Sequence, residues 1–248
     1  MSNTSAGYKA ALDFNSKAVA CLALGNHRGC TVELENALKA YRSFLHVADV
    51  RVTEVQHEQV HASRVRLKSI PLPDSVAELP QFGHNKSPTL SQFACGNIFT
   101  VFCRAFVVTG DVEQGLAAAT PEHLVPAIIL YNMGLSFHLH AIRVGSTIGM
   151  VRAYEFYRHS VALVETRTAV VDVSRQRLLL AALALNMAHI SSAFYHGINT
   201  RTSMVLLRNL IFDAGRAQED FDEDEMDVFT MNWIYFSEYQ HLTMAPSA

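Results

Sequence analysis

Apolar residues recur at helical spacing along most of the chain, and they group into pairs of amphipathic segments. The first pair, ALDFNSKAVACLALGNHRGCTVELENALKAYRSFL, turns at Gly25 and Asn26. Two further pairs follow in LYNMGLSFHLHAIRVGSTIGMVRAYEFYRHSVALV and LALNMAHISSAFYHGINTRTSMVLLRNLI, where the spacing of small residues predicts longer turns, with a bulge at RVGSTIG. The pattern predicts a mostly all-α protein built of antiparallel helix pairs.

The stretch between the first and second pairs breaks the helical pattern. GNIFTVFCRAFVV is aromatic and β-branched with apolar residues on both faces, which predicts a buried strand at about Asn97 to Val108. Its expected partner is RVRLKSI, Arg64 to Ile70, which would make a small β ribbon packed on the helices. One more irregular helix is the alternative for this insertion.

The carboxyl end combines an acidic cluster with an aromatic stripe. Seven of the nine residues from Glu219 to Asp227 are acidic, and Met226, Phe229, Trp233 and Phe236 then fall on one helical face. Acidic residues at a helix start interact favourably with the helix dipole, so the cluster has a structural explanation. It imitates the opening of a calcium-binding EF-hand loop, but Glu225 stands where glycine is needed. We expect a capping helix here.

These boundaries predict a single helical-repeat domain over 1–248. Its parts are helix pair 1 at about 5–46, an insertion at about 47–119, helix pair 2 at about 121–168, helix pair 3 at about 172–216, and a capping helix at about 222–240.

Small residues recur where packed helices would cross. Ala18, Gly25, Cys30, Leu34 and Ala37 have a spacing that resembles the tetratricopeptide repeat (TPR), although Lys17 replaces the usual leucine before the first small residue. Gly134 and Ala188 occupy the matching place in the other pairs, and the resemblance covers about half of the chain. It implies that the pairs stack into a short solenoid or bundle whose first helices line a concave groove.

The resemblance also implies which side chains face that groove. They are Asn15, Val19, Tyr131, Asn132, Leu135, His138, Leu185, Asn186, His189 and Ser192. Asn132 and Asn186 are suited to hydrogen-bond the backbone of an extended peptide. The family's carboxylate clamp needs lysine and arginine in the groove, and none stands at these positions, so a neutral or apolar segment is the expected ligand. Packing in the core is the alternative for each of these residues.

A catalytic metal is the competing hypothesis. HEQVH, His57 to His61, spells the zinc-binding H-E-x-x-H pattern, with Glu58 placed to activate a water if the segment is helical. No third ligand follows at the expected spacing. His138 and His189, counted from Gly134 and Ala188, would lie a helical turn apart as metal ligands or a pH-sensitive pair. The sequence therefore predicts a protein that is not an enzyme and needs no cofactor, with a zinc-dependent hydrolase as the alternative.

Composition limits the partners and the compartment. The net charge is -3 and only 17% of the residues are charged, so nothing favours nucleic acid. The runs Leu178 to Thr200 and His123 to Ile142 carry no charge, but both contain Asn and His, which favours buried helices over membrane spans. Four cysteines without a C-x-x-C pair, and no secretory signal at the start, predict the cytoplasm or nucleus. The expected partner is a protein or peptide.

Overall fold

The structure, a computed structural model, describes residues 3–49, 66–73, 99–109, 124–165, 173–194, 196–212 and 221–243. These residues form seven helices and one small antiparallel sheet. The elements are α1 (Asn3–Ala23), α2 (His27–Asp49), β1 (Arg66–Pro71), β2 (Arg104–Thr109), α3 (Leu124–Val144), α4 (Thr147–Glu165), α5 (Val173–Ala193), α6 (Gly197–Phe212) and α7 (Glu223–Thr243). The prediction of a mostly helical protein with helix pairs is confirmed.

The chain divides into two compact units. Unit 1 comprises 1–78 and 103–171, and unit 2 comprises 79–102 and 172–248. Unit 1 thus contains α1 to α4 with both strands, and unit 2 contains α5, α6 and α7. The prediction that the whole chain is one domain stays a prediction.

The first two helix pairs turn in the same way. Gly25 has a φ of 70° and Gly145 a φ of 67°, a region that glycine enters without strain. The next residue then donates its N–H back to the preceding helix: Asn26 to Cys21 O at 2.9 Å and Ser146 to Ala141 O at 2.8 Å.

The residue after each of these glycines also begins the next helix. Asn26 Oδ1 accepts the Gly29 N–H at 2.9 Å, and Ser146 Oγ accepts the Gly149 N–H at 3.1 Å. Both are N-cap bonds, so three residues in the first pair and two in the second suffice to end one helix and start another.

The predicted bulge at RVGSTIG is wrong. Only Gly145 and Ser146 separate α3 from α4. The gap between Gly134 and Ala153 exceeds the usual repeat spacing by seven residues, and seven residues are about two helical turns. The additional residues lengthen the two helices instead of the turn. The third pair likewise turns within 194–196, so its predicted longer turn is wrong as well.

Small residues lie at the centre of the helix contacts. Ala18, Cys30, Leu34 and Ala37 are fully buried in the first pair. In the second pair, a Cβ added to Gly134 would lie 2.6 Å from Cε1 of Tyr157, which is itself buried. A hydrogen-bonded contact joins the same two helices, since Ser160 Oγ donates to Ala127 O at 2.8 Å. In unit 1, α3 also packs against α2, which places the first two pairs side by side.

The predicted β ribbon is present and somewhat shorter than expected. β1 and β2 pair antiparallel, with Arg66 opposite Thr109, Ser69 opposite Phe106 and Pro71 opposite Arg104. Residues 99–103 of the predicted strand lie outside the sheet. In unit 1, β2 packs on α1 and α3.

In unit 2, α7 packs on α6 and α5. It starts with a reciprocal capping box: Asp222 Oδ1 accepts the Glu225 N–H at 2.7 Å, and Glu225 Oε2 accepts the Asp222 N–H at 3.0 Å. Phe229 and Phe236 of the predicted aromatic stripe are buried, whereas Met226 and Trp233 are half-buried.

Among the described residues, α3 is the one helix with the length and apolar composition of a membrane span. Most of its side chains are buried inside the protein.

Candidate functional site

The extended segment Phe99–Thr109 is held by side chains that come from the helices. Phe99–Phe102 belong to unit 2 and Cys103–Thr109 to unit 1. The backbone groups that helix side chains bond belong to Thr100, Phe102, Arg104 and Phe106. Within each unit the two bonded residues are two positions apart, as in a strand, where successive residues point their backbone groups to opposite sides.

In unit 1, Asn132 of α3 bonds both backbone groups of Phe106. Its Oδ1 accepts the Phe106 N–H at 2.9 Å, and its Nδ2 donates to Phe106 O at 2.7 Å. The side-chain amide therefore pairs with one residue of the main chain as a neighbouring strand would. Asn132 is fully buried, so the pairing takes place away from water, where unmade hydrogen bonds are costly.

A second asparagine supports the first. Asn15 of α1 donates through Nδ2 to Phe106 O at 3.0 Å, and its Oδ1 accepts a hydrogen bond from Asn132 Nδ2 at 2.9 Å. Asn15 is 2% exposed. The two side chains and the backbone of one strand residue thus form a closed polar cluster in an apolar setting.

The neighbouring part of β2 is held on both edges. Tyr131 donates its hydroxyl to Arg104 O at 3.1 Å, and its ring meets that of Phe106 edge to face with centroids 4.8 Å apart. The opposite edge pairs with β1, and just before the strand Cys103 O accepts the Leu72 N–H at 3.0 Å. Helix side chains therefore occupy one edge of β2 while β1 occupies the other.

Unit 2 repeats the arrangement on the first part of the segment. Asn186 Oδ1 accepts the Phe102 N–H at 2.8 Å, and its Nδ2 donates to Phe102 O over a longer 3.5 Å. Asn232 Oδ1 accepts the Thr100 N–H at 2.8 Å. The Phe102 ring stacks on Phe229 of α7 with centroids 4.9 Å apart. Each unit thus combines an asparagine with a bonded main-chain residue and an aromatic contact.

The other residues predicted for the groove lie around these asparagines. Val19, Leu135 and Leu185 are buried apolar side chains, His138 and His189 are buried, and Ser192 is half-buried and donates to His189 O at 2.9 Å. The predicted groove residues are therefore buried or half-buried. The backbone that Asn15, Tyr131, Asn132 and Asn186 bond belongs to this chain's own segment Phe99–Thr109.

Burial keeps His189 neutral at physiological pH. Burial lowers the pKa of His189 to about 4. His138 Nδ1 lies 3.3 Å from the Tyr157 hydroxyl. His138 belongs to unit 1 and His189 to unit 2, and their predicted meeting stays a prediction.

Two of the described cysteines are held as neutral thiols. Burial raises the pKa of the Cys30 and Cys103 thiols to about 12, so neither is a thiolate nucleophile at neutral pH. Within the described ranges, no three His, Cys, Asp or Glu side chains are grouped so that they could hold a metal ion. His57, Glu58 and His61 lie outside the described residues, and the zinc-hydrolase alternative stays a prediction.

Sequence reasoning overlooked Asn232. Its helix carries the predicted aromatic stripe, and Glu225, Phe229, Asn232 and Phe236 are its buried face. A polar residue at a core position of an amphipathic helix was the available signal, because buried amides need hydrogen-bond partners. Unlike Asn132 and Asn186, it is not followed two residues later by a small residue, so the repeat spacing did not mark it.

No protein-family model, curated protein or solved structure matches this chain. The resemblance to the tetratricopeptide repeat therefore stays a prediction from the spacing of small residues.

Proposed function

We propose that this protein is a non-enzymatic interaction scaffold of TPR-like helix pairs that binds an extended segment of a protein or peptide partner. The observation that supports it best is the pairing of Asn132 with both backbone groups of Phe106. A side-chain amide in this position recognises backbone in the extended conformation. It does so whatever the charge of the bound segment's side chains.

The partner that fits is neutral or apolar. Aromatic rings, Tyr131 in unit 1 and Phe229 in unit 2, lie beside the bonded residues of the extended segment. Such surroundings favour β-branched and aromatic side chains and disfavour acidic ones, since a charge buried without a partner is costly. We infer a partner segment with apolar residues at alternate positions, met in the cytoplasm or nucleus.

Capture of partners by the full chain tests this function. Tagged wild type and the variants Asn132→Ala and Asn209→Ala are expressed in the native cell and their partners quantified by mass spectrometry. Asn209 is exposed on α6 and serves as the matched control. Circular dichroism of each purified variant at the capture temperature ensures that folded proteins are compared.

The expected result is a set of proteins that wild type and Asn209→Ala retain equally, that Asn132→Ala loses at least tenfold, and that share an uncharged segment with alternating apolar residues. Recovery of the same proteins by all three variants, or no protein enriched over an untagged control, would contradict the proposed function.

A further inference from the structure

The turns of the two helix pairs in unit 1 expose large aliphatic side chains. Leu24, in the first turn, is 84% exposed. Val144, the last residue of α3, is 56% exposed, and Ile148, in the first helical turn of α4, is 71% exposed. Single exposed aliphatic residues are common on protein surfaces, whereas a group of them marks a surface that binds something.

The two turns lie side by side. His27 follows the first turn and His140 precedes the second, and their rings contact each other with centroids 5.2 Å apart. The two helices that carry these rings, α2 and α3, pack against each other. Leu24, Val144 and Ile148 therefore belong to one surface, which we call the turn end of unit 1.

The turn end carries basic side chains. Arg28 and Arg143 are exposed, and each lies within three residues of the glycine in its turn. Along the described elements of unit 1, the acidic residue nearest to either turn is Glu33, seven residues after Asn26. Seven residues of helix span about 10 Å, which exceeds the distance of about 8 Å over which physiological salt screens a charge. The turn end is therefore positively charged.

The backbone of the two turns is bonded within the chain. Leu24, Gly25 and Asn26 donate their N–H groups to carbonyl oxygens of α1, with N···O distances of 3.2, 2.9 and 2.9 Å. Ser146 donates its N–H to Ala141 O at 2.8 Å. Because an unbonded polar group is costly to remove from water, turns bonded in this way enter an apolar environment more readily.

We propose that the turn end of unit 1 docks on the surface of a membrane that contains anionic phospholipids. The three aliphatic side chains insert at the boundary between headgroups and acyl chains, and Arg28 and Arg143 bind the lipid phosphates. Such docking needs no membrane-spanning helix and leaves α3 in the core. It goes beyond the proposed function and does not depend on it, since Asn15 and Asn132 are buried inside the unit.

The charge of the turn end favours a lipid surface over a second copy of this chain. A twofold contact between two turn ends would place the arginines of one copy against those of the other, and like charges in an interface repel. Anionic headgroups complement the same arginines. Fluid acyl chains also surround protruding aliphatic side chains without needing a matching shape.

Binding of the full chain to lipid vesicles tests this proposal. The probes are vesicles of phosphatidylcholine alone and vesicles of phosphatidylcholine and phosphatidylserine in equal amounts, and bound protein is measured by sedimentation. The double variant Leu24→Ser with Ile148→Ser removes two aliphatic side chains, and Arg28→Gln with Arg143→Gln removes the two charges. All four positions are exposed apart from the core, and melting curves followed by circular dichroism verify that each variant is folded.

Two exposed residues farther along α2 provide matched controls. Leu45→Ser removes an exposed aliphatic side chain and Arg42→Gln removes an exposed charge, and both positions lie well over ten residues from the first turn. We expect both control variants to bind the mixed vesicles as wild type does.

Wild type should bind the mixed vesicles at least tenfold more tightly than phosphatidylcholine alone, and added salt should weaken this binding. The aliphatic double variant should lose at least tenfold in affinity for the mixed vesicles, because it has lost the side chains that insert. The arginine double variant should bind both kinds of vesicle with nearly equal affinity.

Three results would overturn the proposal. The first is wild-type protein that does not sediment with the mixed vesicles, and the second is equal binding of wild type and the aliphatic double variant. The third is a dimer in analytical ultracentrifugation that the aliphatic double variant abolishes, together with no vesicle binding, which would assign the turn end to a second copy of this chain. None of these results bears on the capture of partners through Asn132.

Discussion

At the scale of single residues, the polar side chains buried against Phe99–Thr109 hold its backbone by hydrogen bonds. Asn132 could be selected from the sequence because it stands two residues before Gly134, which sets the helix register, and Asn186 likewise precedes Ala188. The sequence does not indicate in the same way which strand these asparagines bond. Phe106 lies 91 residues from Asn15, and no local pattern relates them.

Replacing Asn132 by Ala should destabilise the protein by about 2–4 kcal/mol, because the buried Phe106 N–H loses its acceptor and Phe106 O loses one of two donors. Urea unfolding followed by circular dichroism measures this. Asn209→Ala, on an exposed helix surface, should stay within about 0.5 kcal/mol of wild type. Equal stabilities for the two variants would show that the buried amide is dispensable.

Gly134→Ala should lower the free energy of unfolding by about 1–3 kcal/mol, since the new Cβ would meet the buried Tyr157 ring at 2.6 Å and the rigid ring must move. Gly197 starts α6 with nothing within 4 Å of an added Cβ, so Gly197→Ala should be neutral or slightly stabilising. Thermal melting of both variants provides the comparison. A Gly134→Ala protein with the melting temperature of wild type would contradict a close crossing of α3 and α4 at this position.

The lowered pKa of His189 predicts that the folded protein loses stability in acid. Its pKa of about 4 in the folded protein lies below the ordinary value of 6.5, so the unfolded chain binds the proton more readily. The contribution of neutral His189 to the free energy of unfolding is fully present above about pH 6.5 and is lost as the pH falls toward 4. At roughly 1.4 kcal/mol for each pKa unit, the loss is up to about 3 kcal/mol.

Urea unfolding at pH 7 and pH 4.5 for wild type and His189→Gln measures this linkage. The variant should show a smaller loss of stability on acidification. His27 is a second contributor of the same sign, because burial and the nearby Arg143 and His140 lower its pKa to about 4, so the variant should reduce the pH dependence without abolishing it. Identical pH profiles would assign the effect to other groups.

At the scale of elements, the sequence predicts the helices, but it predicts the turns between them only in part. Hydrophobic periodicity identified every helix pair, and Gly25 with Asn26 marked the first turn. The second turn was expected to bulge because the repeat spacing was assumed to have helices of fixed length. Seven residues can extend two helices as readily as one loop, and only packing along the full length of α3 and α4 decides between these outcomes.

The start of α7 carries a prediction of its own. Asp222→Ala should cost about 1 kcal/mol, because the Glu225 N–H loses its side-chain acceptor and the reciprocal bond loses its geometry. Asp224 is exposed in the same first turn, so Asp224→Ala removes a similar charge without removing the cap and should cost less. Thermal unfolding of both proteins compares them. Equal losses would attribute the effect to charge at the helix start instead of to the cap.

At the scale of the whole molecule, helix side chains in each unit bind the backbone of part of Phe99–Thr109. The Phe102 amide offers the cleanest probe, since it lies outside the paired strand residues and its partner is Asn186 Oδ1. Amide hydrogen exchange in the full chain, measured for wild type and Asn186→Ala, reports this bond directly.

We expect strong protection of the Phe102 amide in wild type, and loss of that protection in Asn186→Ala while the Phe106 amide, bonded by Asn132, stays protected. Exchange of the Phe102 amide in wild type at the rate of an unstructured peptide would show that Asn186 does not hold this backbone group.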